Sequence, residues 1–233
     1  MTLKAILFDF NGVIINDESI HKQLIEELLI GENLRLAPSD YDSFCWGRGD
    51  YACLKDLLAN KGRVVSEEYI SKLINQKSTQ YCQIINNLES LPLYESVIGF
   101  LRQMPEKCLI VGLVSGAPLE EVQLILDRAN LSSIFSIIVS AEDKCAGKPS
   151  PESYQRALQK LQEKHPDLCL GASNCLVVED TFPGIKAGQN AQMQVVGITH
   201  TYPFHLLHRK ADWCADYLGE LDLDRISQVM ANN

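Results

Sequence analysis

Three carboxylates, a lysine and a hydroxyl stand at or just beyond the ends of apolar runs in this sequence, and together they have the makings of phosphoryl-transfer chemistry. Asp9 follows the run 4–8, Ser115 the run 109–114 and the pair Glu179–Asp180 the run 175–178, while Lys148 lies in the loop beyond the run 136–139. A carboxylate can attack phosphorus and form an aspartyl phosphate, which splits one hard displacement into two easier ones. The negative charge gathered on the equatorial oxygens calls for a metal ion, a Lys and hydroxyl or backbone N–H donors. Magnesium takes one or two carboxylates with carbonyls and waters, so Asp9 and Asp180 are sensible ligands. Gly12 allows the backbone after the nucleophile to approach a substrate closely. Singly, each residue is what a strand end often carries for turn chemistry or solubility. Four such ends in order are a stronger signal.

The runs that lead to these residues are nearly continuous in apolar side chains, as strands buried on both faces of a parallel sheet should be, and a fifth run covers 193–198. Helical patterns separate them. In 118–129, Leu119, Val122, Ile125, Leu126 and Ala129 recur with a 3.6-residue period. Ser150, Pro151 and Glu152 read as a helix start: a capping hydroxyl, a proline whose missing N–H costs nothing there, and an acid at the positive end of the helix dipole. Residues 184–191 read as another short helix. This alternation predicts an α/β fold, a doubly wound parallel sheet with right-handed crossovers. Ligands of such sheets bind beyond the carboxyl ends of the strands, where the polar residues above are placed.

The stretch from Asp9 to the second run is far too long for a loop. Its helical segments at 18–29, 50–60 and 66–88 predict a small all-helical domain over 17–88, inserted into an α/β core made of 1–16 and 89–233, with hinges at 16–17 and 89–92. Leu24, Leu28, Leu57, Leu58, Ile70, Leu73, Ile74, Ile84 and Ile85 are its candidate core. No internal repeat or low-complexity tract appears.

The 233 residues are 46% hydrophobic and 22% charged, ordinary for a globular chain and unlike a disordered or collagenous one. No run approaches the roughly 18 apolar residues of a membrane helix, and the first ten residues lack the features of a signal peptide. A net charge of −9 without clustered Lys and Arg argues against nucleic acid. Eight cysteines with no C-x-x-C pair suggest neither a disulfide framework nor a zinc site, so reduced thiols and a cytoplasmic location are expected. His200, His205 and His208 lack an acidic or Cys partner at ligand spacing and read as surface or packing residues.

Asp9-Phe10-Asn11-Gly12-Val13, Val114-Ser115-Gly116, Gly147-Lys148-Pro149-Ser150-Pro151-Glu152 and Val178-Glu179-Asp180-Thr181 through Pro183-Gly184-Ile185-Lys186-Ala187-Gly188 resemble the four motifs of the haloacid dehalogenase superfamily, in the same order. The insert is similar to the helical cap of its β-phosphoglucomutase-like members. The resemblance implies a Rossmann-like core and a magnesium-dependent phosphatase for a small phosphorylated metabolite, a monomer or weak dimer. It implies Asp9 as nucleophile and metal ligand, the backbone carbonyl of Asn11 and the carboxylate of Asp180 as further ligands, and Glu179 beside them. Ser115 and Lys148 would hold the phosphoryl oxygens, with Gly12 and Gly116 lining the substrate site.

One position departs from the family. Its phosphatases and mutases carry Asp two residues after the nucleophile, where it protonates the leaving oxygen and then activates water. Here that residue is Asn11, with no titratable proton, and loss of acid–base help costs about 10² to 10⁴ in rate. The resemblance therefore implies an attenuated hydrolase, or else a phosphometabolite- or metal-binding module; a mutase ranks last because transfer both ways depends on the acid. In the insert, Trp46-Gly47-Arg48-Gly49-Asp50 is the candidate substrate-specifying loop, with Arg48 able to clamp an anion. The other reading is a helix-connecting turn with a solvated Arg.

Overall fold

The computed structural model describes residues 2–232. Its centre is a six-stranded parallel sheet of β1 (Ala5–Asp9), β2 (Ile110–Val114), β3 (Phe135–Val139), β4 (Cys175–Glu179), β5 (Gln194–Ile198) and β6 (Trp213–Ala215), in spatial order β3-β2-β1-β4-β5-β6. From β1 the chain winds outward through β2 to β3, then crosses back to place β4 on the other side of β1. The strand order therefore reverses between β1 and β4, and a crevice opens at their carboxyl ends.

Alternate side chains of each strand feed two separate apolar layers, the consequence of a two-residue side-chain period. Ile6 and Phe8 of β1, Leu113 of β2 and Leu176 and Val178 of β4 pack on one face with Val122, Ile125 and Leu126. Ala5 and Leu7, Cys175 and Val177 pack on the other with Tyr154, Ala157 and Leu161. Phe8 stacks edge-on against Phe100 and Phe135. The helices that cover the sheet are α5 (Val97–Arg102), α6 (Leu119–Arg128), α7 (Glu152–Lys164), α8 (Phe182–Asn190), α9 (Phe204–Leu207) and α10 (Leu223–Asn232), numbered after four that precede them in the chain. The expected cap by Ser150 is displaced: α7 opens after Pro151, and Ser150 Oγ accepts the Glu152 N–H at 3.4 Å. Thr181 does cap α8, its Oγ1 accepting the Gly184 N–H at 3.2 Å.

Those four, α1 (Glu18–Gly31), α2 (Asp40–Phe44), α3 (Asp50–Asn60) and α4 (Glu67–Asn87), form the helical cap inserted between β1 and β2. Leu28, Leu57, Leu58, Ile70 and Leu73 make its own core, with Ile74 against it. Leu24 and Ile85 do not join them. Both are fully buried in the layer under the cap, alongside Tyr81, and Ile84 packs on that layer too. The amphipathic faces of α1 and α4 thus serve two cores, one at each end. The chain enters and leaves the cap side by side: Asn16 N–H donates to Pro92 O at 2.8 Å and Tyr94 N–H to Ile14 O at 3.2 Å. At the exit, Arg128 of α6 donates to the carbonyls of Ile85 and, at 2.8 Å, Leu88, filling acceptors that the end of α4 leaves open.

The expectation of reduced thiols throughout is corrected here. Cys45 and Cys53 form a disulfide with their Cα atoms 4.4 Å apart, because the turn from α2 into α3 folds these two positions back together; Cys82, Cys108, Cys145, Cys169, Cys175 and Cys214 are free. Among the described residues no helix is long and apolar enough to cross a membrane.

Because the cap has a core of its own, Leu57→Ala should cost about 2–5 kcal/mol, and hydrogen exchange should locate the loss of protection within α1–α4. An equal loss across β1, β2 and β4 would show that cap and sheet open as one unit.

Candidate active site

Asp9 ends β1, and Glu179 ends β4 beside it. Both carboxylates, with Asp180, lie in the crevice with at most 7% of their surface exposed. Asp9, Glu179 and Asp180 each aim an oxygen at one point, these oxygens lying within 4.8 Å of one another. Like charges so close call for a cation among them or a proton on one of them. Lys148 supplies the cation: its Nζ lies 2.6 Å from Asp9 Oδ1 and 2.6 Å from Glu179 Oε1. Burial and the charge of Glu179 still push Asp9 up to about 7 against the pull of Lys148. Burial and the charges of Glu179 and Asp9 raise Asp180 well above the usual carboxylate range. For Lys148 burial opposes the charge, but Asp9 and Glu179 outweigh it and the pKa rises.

The two neighbours at 179 and 180 are engaged differently. Glu179 Oε1 accepts the Tyr154 hydroxyl at 2.6 Å, and Oε2 accepts the Thr181 hydroxyl at 3.2 Å and the Asp180 N–H at 3.3 Å. Both of its oxygens are spoken for. Asp180 Oδ2 takes the Thr201 hydroxyl, but its Oδ1 is buried with no hydrogen-bond partner, a costly state for a carboxylate unless something else is to bind it. Gly12 is required here on two counts. Its φ is +85°, and a Cβ would stand 2.1 Å from Asp180 Oδ2.

Ser115, buried at the end of β2, accepts the Ala117 N–H at 3.0 Å and faces the Asn11 side-chain oxygen at 3.5 Å. Asn11 turns its amide nitrogen the other way, to both oxygens of Asp17 at 3.0 Å. Asp17, fully buried at the entry to α1, also accepts the Tyr81 hydroxyl at 2.5 Å and lies 3.2 Å from His21 Nε2. Burial opposes its charge, but His21, Tyr81 and Asn11 together lower its pKa. His21 feels burial and the nearby Lys77 downward and Asp17 upward, and the balance is a raised pKa. Lys77, wholly buried on α4, lies 2.7 Å from Asp50 and 3.7 Å from Glu121 of α6, so a chain of polar contacts joins the hinge, the cap and the sheet-side helices.

A cavity of about 1150 Å³ lies between cap and core, lined by Asp9, Asn11, Ser115, Lys148 and Asp180 below and by the loop from Cys45 to Cys53 above. That loop is closed by the disulfide and rests on the core. Gly49 sits so near Gly116 that a Cβ at 116 would meet Gly49 Cα at 2.8 Å. Arg48 lines the cavity, yet its guanidinium donates to Asp56 at 2.6 Å and to Phe44 O at 3.0 Å. The structure therefore brings Asp9, Asn11, Gly12, Ser115, Gly116, Lys148, Glu179 and Asp180 together, and leaves Arg48 on the cap wall, already paired.

Several residues around the site were not legible as such. His200 stacks on Tyr94 at 3.6 Å and its Nδ1 lies 2.8 Å from Gly12 O; with Thr201 it buttresses the loop after Asp9 from beyond β5. Tyr154 steadies Glu179. Asp17 and His21 carried a faint signal, an acid and a histidine four apart at a helix start, but Tyr81 is 64 residues on.

A model of the haloacid dehalogenase-like hydrolase family matches residues 3–192. Protein CbbY of Rhodobacter capsulatus is 25% identical over 225 residues, covering 91% of this chain and 92% of that protein. Pyrophosphatase PpaX of Bacillus cereus is 25% identical over 225 residues, 95% of each. In three dimensions the chain is similar to β-phosphoglucomutase from Clostridium difficile, with a TM-score of 0.82, 23% identity and coverage of 99% and 98%. It is also similar to CbbY from Rhodobacter sphaeroides, solved in complex with xylulose-(1,5)bisphosphate, at a TM-score of 0.80, 19% identity and coverage of 94% and 96%. At these identities the solved structures bear on fold alone.

Lys148→Ala would leave Asp9 and Glu179 buried without their cation, so it should cost about 3–5 kcal/mol in urea unfolding. Lys186→Ala, at an exposed position on α8, should stay within about 0.5 kcal/mol of the parent. Equal losses would mean that Lys148 does not hold the carboxylates together.

Proposed function

The chain belongs to the haloacid dehalogenase-like hydrolases, and from that membership we propose that it is a magnesium-dependent phosphatase for a small phosphorylated metabolite, working through an aspartyl phosphate on Asp9. The observation that carries the reading is the pairing of Asp9 with Lys148 beside a buried Asp180 Oδ1 that has no partner. An orphaned carboxylate oxygen close to two other carboxylates is a hard donor set and fits magnesium. Asp9, Asp180 and the Asn11 backbone carbonyl would hold the ion, with Glu179 set back by its bonds to Lys148 and Tyr154. Bound there, it supplies positive charge against the phosphoryl oxygens.

The chain's own groups do the rest. An oxygen of Asp9 forms the new bond to phosphorus as the bond to the leaving oxygen breaks. Lys148 offsets charge on the transferring group, and the Ser115 hydroxyl and backbone N–H groups after Asp9 and Ser115 receive its oxygens. Water then attacks the aspartyl phosphate and frees Asp9. The cap, residues 17–88, closes the site from water about hinges at 16–17 and 89–92. The small phosphorylated ligands in the relatives' names support a substrate of that size. Asn11 favours a second reading, a module that binds a phosphometabolite without turnover.

Turnover of a panel of phosphomonoesters, phosphoanhydrides and acyl phosphates with magnesium separates the two readings. Activity should be lost in Asp9→Asn, and calorimetry should show magnesium binding strongly weakened in Asp180→Ala. Magnesium affinity unchanged in Asp180→Ala would remove the metal assignment, and binding without turnover would favour the module.

A further inference from the structure

We propose, resting on the phosphatase reading above, that the site is built for anhydrides of phosphoric acid, acyl phosphates and pyrophosphate-type donors, and discriminates against alkyl phosphate esters. The difference between these donors is the proton their leaving group needs. A carboxylate or phosphate leaves as a stable anion, with conjugate-acid pKa values of about 4 and 6. An alkoxide is about as basic as hydroxide, near 15.7, and departs slowly unless a proton meets it.

The orientation of Asn11 decides which atom the reaction meets. Asp17 can only accept, so the Asn11 amide must turn its nitrogen to it, as the 3.0 Å contacts to both carboxylate oxygens require. Its carbonyl oxygen is then left facing Ser115 and the cavity. That oxygen has no proton to give. Three proton-bearing groups nearby are also engaged: the Tyr81 hydroxyl donates to Asp17, His21 Nε2 lies against Asp17 with its ring stacked on Tyr81, and Lys77 is held by Asp50. Lys148 is shared between Asp9 and Glu179. The cavity wall carries Lys55 and Lys144 as well, both exposed, which suits a leaving group that departs as an anion.

The chemistry balances without an acid. Asp9 attacks phosphorus, the anhydride P–O bond breaks, and the leaving carboxylate or phosphate keeps the electron pair. Water then adds to the phosphorus of the aspartyl phosphate dianion, the bond to Asp9 breaks, and Asp9 carboxylate and dihydrogen phosphate result, both protons of the water ending on the phosphate.

The test is a leaving-group series measured with magnesium on the unaltered protein: acetyl phosphate, pyrophosphate, p-nitrophenyl phosphate, phenyl phosphate, glycerol phosphate and ethyl phosphate. Values of kcat/KM should fall steeply with leaving-group pKa, placing the alkyl esters about 10² to 10⁴ below what an acid-assisted site would give. The double variant Asn11→Asp/Asp17→Asn, which exchanges acid and amide across the same hydrogen bond, should raise the ratio of ethyl phosphate to acetyl phosphate turnover by about that factor. Asp9-dependent turnover that is flat across the series would overturn the inference and leave the phosphatase reading standing, pointing instead to a cavity group such as Glu18 or His21 as the acid. No turnover of any member, acetyl phosphate included, would overturn both. If the double variant does not fold, the slope of the unaltered protein decides alone.

Discussion

The ion cluster at the mouth of β1 and β4 is the constraint on which the rest of the molecule turns. Three carboxylates converge there and one ammonium, Lys148, bridges two of them. Nothing in the chain near Asp9 could hold that ammonium in place. It comes from a loop beyond β3 and reaches Asp9 only because β1 is flanked by β2 and β4 and α7 packs beneath. Tyr154 of α7 supports Glu179, and the first turn of α8 carries Gly184, whose Cβ would strike the Glu179 carboxylate at 2.0 Å. The doubly wound sheet is in this sense a device for bringing like charges to one point and then making that tolerable.

A second cluster, at the root of the cap, answers the first. Asn11, two residues after Asp9, is tied to Asp17 at the entry to the cap, and Asp17 is tied to Tyr81 on the last cap helix. Lys77, one turn earlier on that helix, is tied to Asp50 in the disulfide-closed loop from Cys45 to Cys53. Position 11 therefore touches both the crevice and the entry to the cap. An amide suits both contacts, since it donates to Asp17 and accepts from Ser115; a carboxylate there would confront Asp17 at 3.0 Å, and the two would have to share a proton. The substitution at 11 and the acid at 17 make sense as a pair.

The sheet strands through β5 and the polar residues that gather at the crevice were legible because each strand is a short apolar run with a polar residue at or just beyond its end, a local signal. Three of the four inserted helices showed in their periodicity; α2, with five residues, is too short to show one. What stayed hidden depended on distance along the chain. β6 is three residues long and half-buried at the sheet edge, too brief for a pattern. Leu24 and Ile85 look like cap core because a helix face gives no hint of which neighbour it will meet. Cys45 and Cys53 lie eight apart across an irregular turn, with no spacing rule to join them. Arg48 has the right type and place for an anion clamp, but its partner Asp56 sits two turns along in α3 and claims it first.

The contact of Gly49 with Gly116 fixes how closely cap and core approach each other. Two residues without side chains meet at the seam between them, so backbone lies against backbone there. A single methyl at either position would act as a doorstop, holding the seam ajar by the width of a carbon atom and letting water in at the rim. Within one unchanged fold, then, the dryness of the chamber is adjustable through two small residues, one next to Ser115 and one on the loop that faces it.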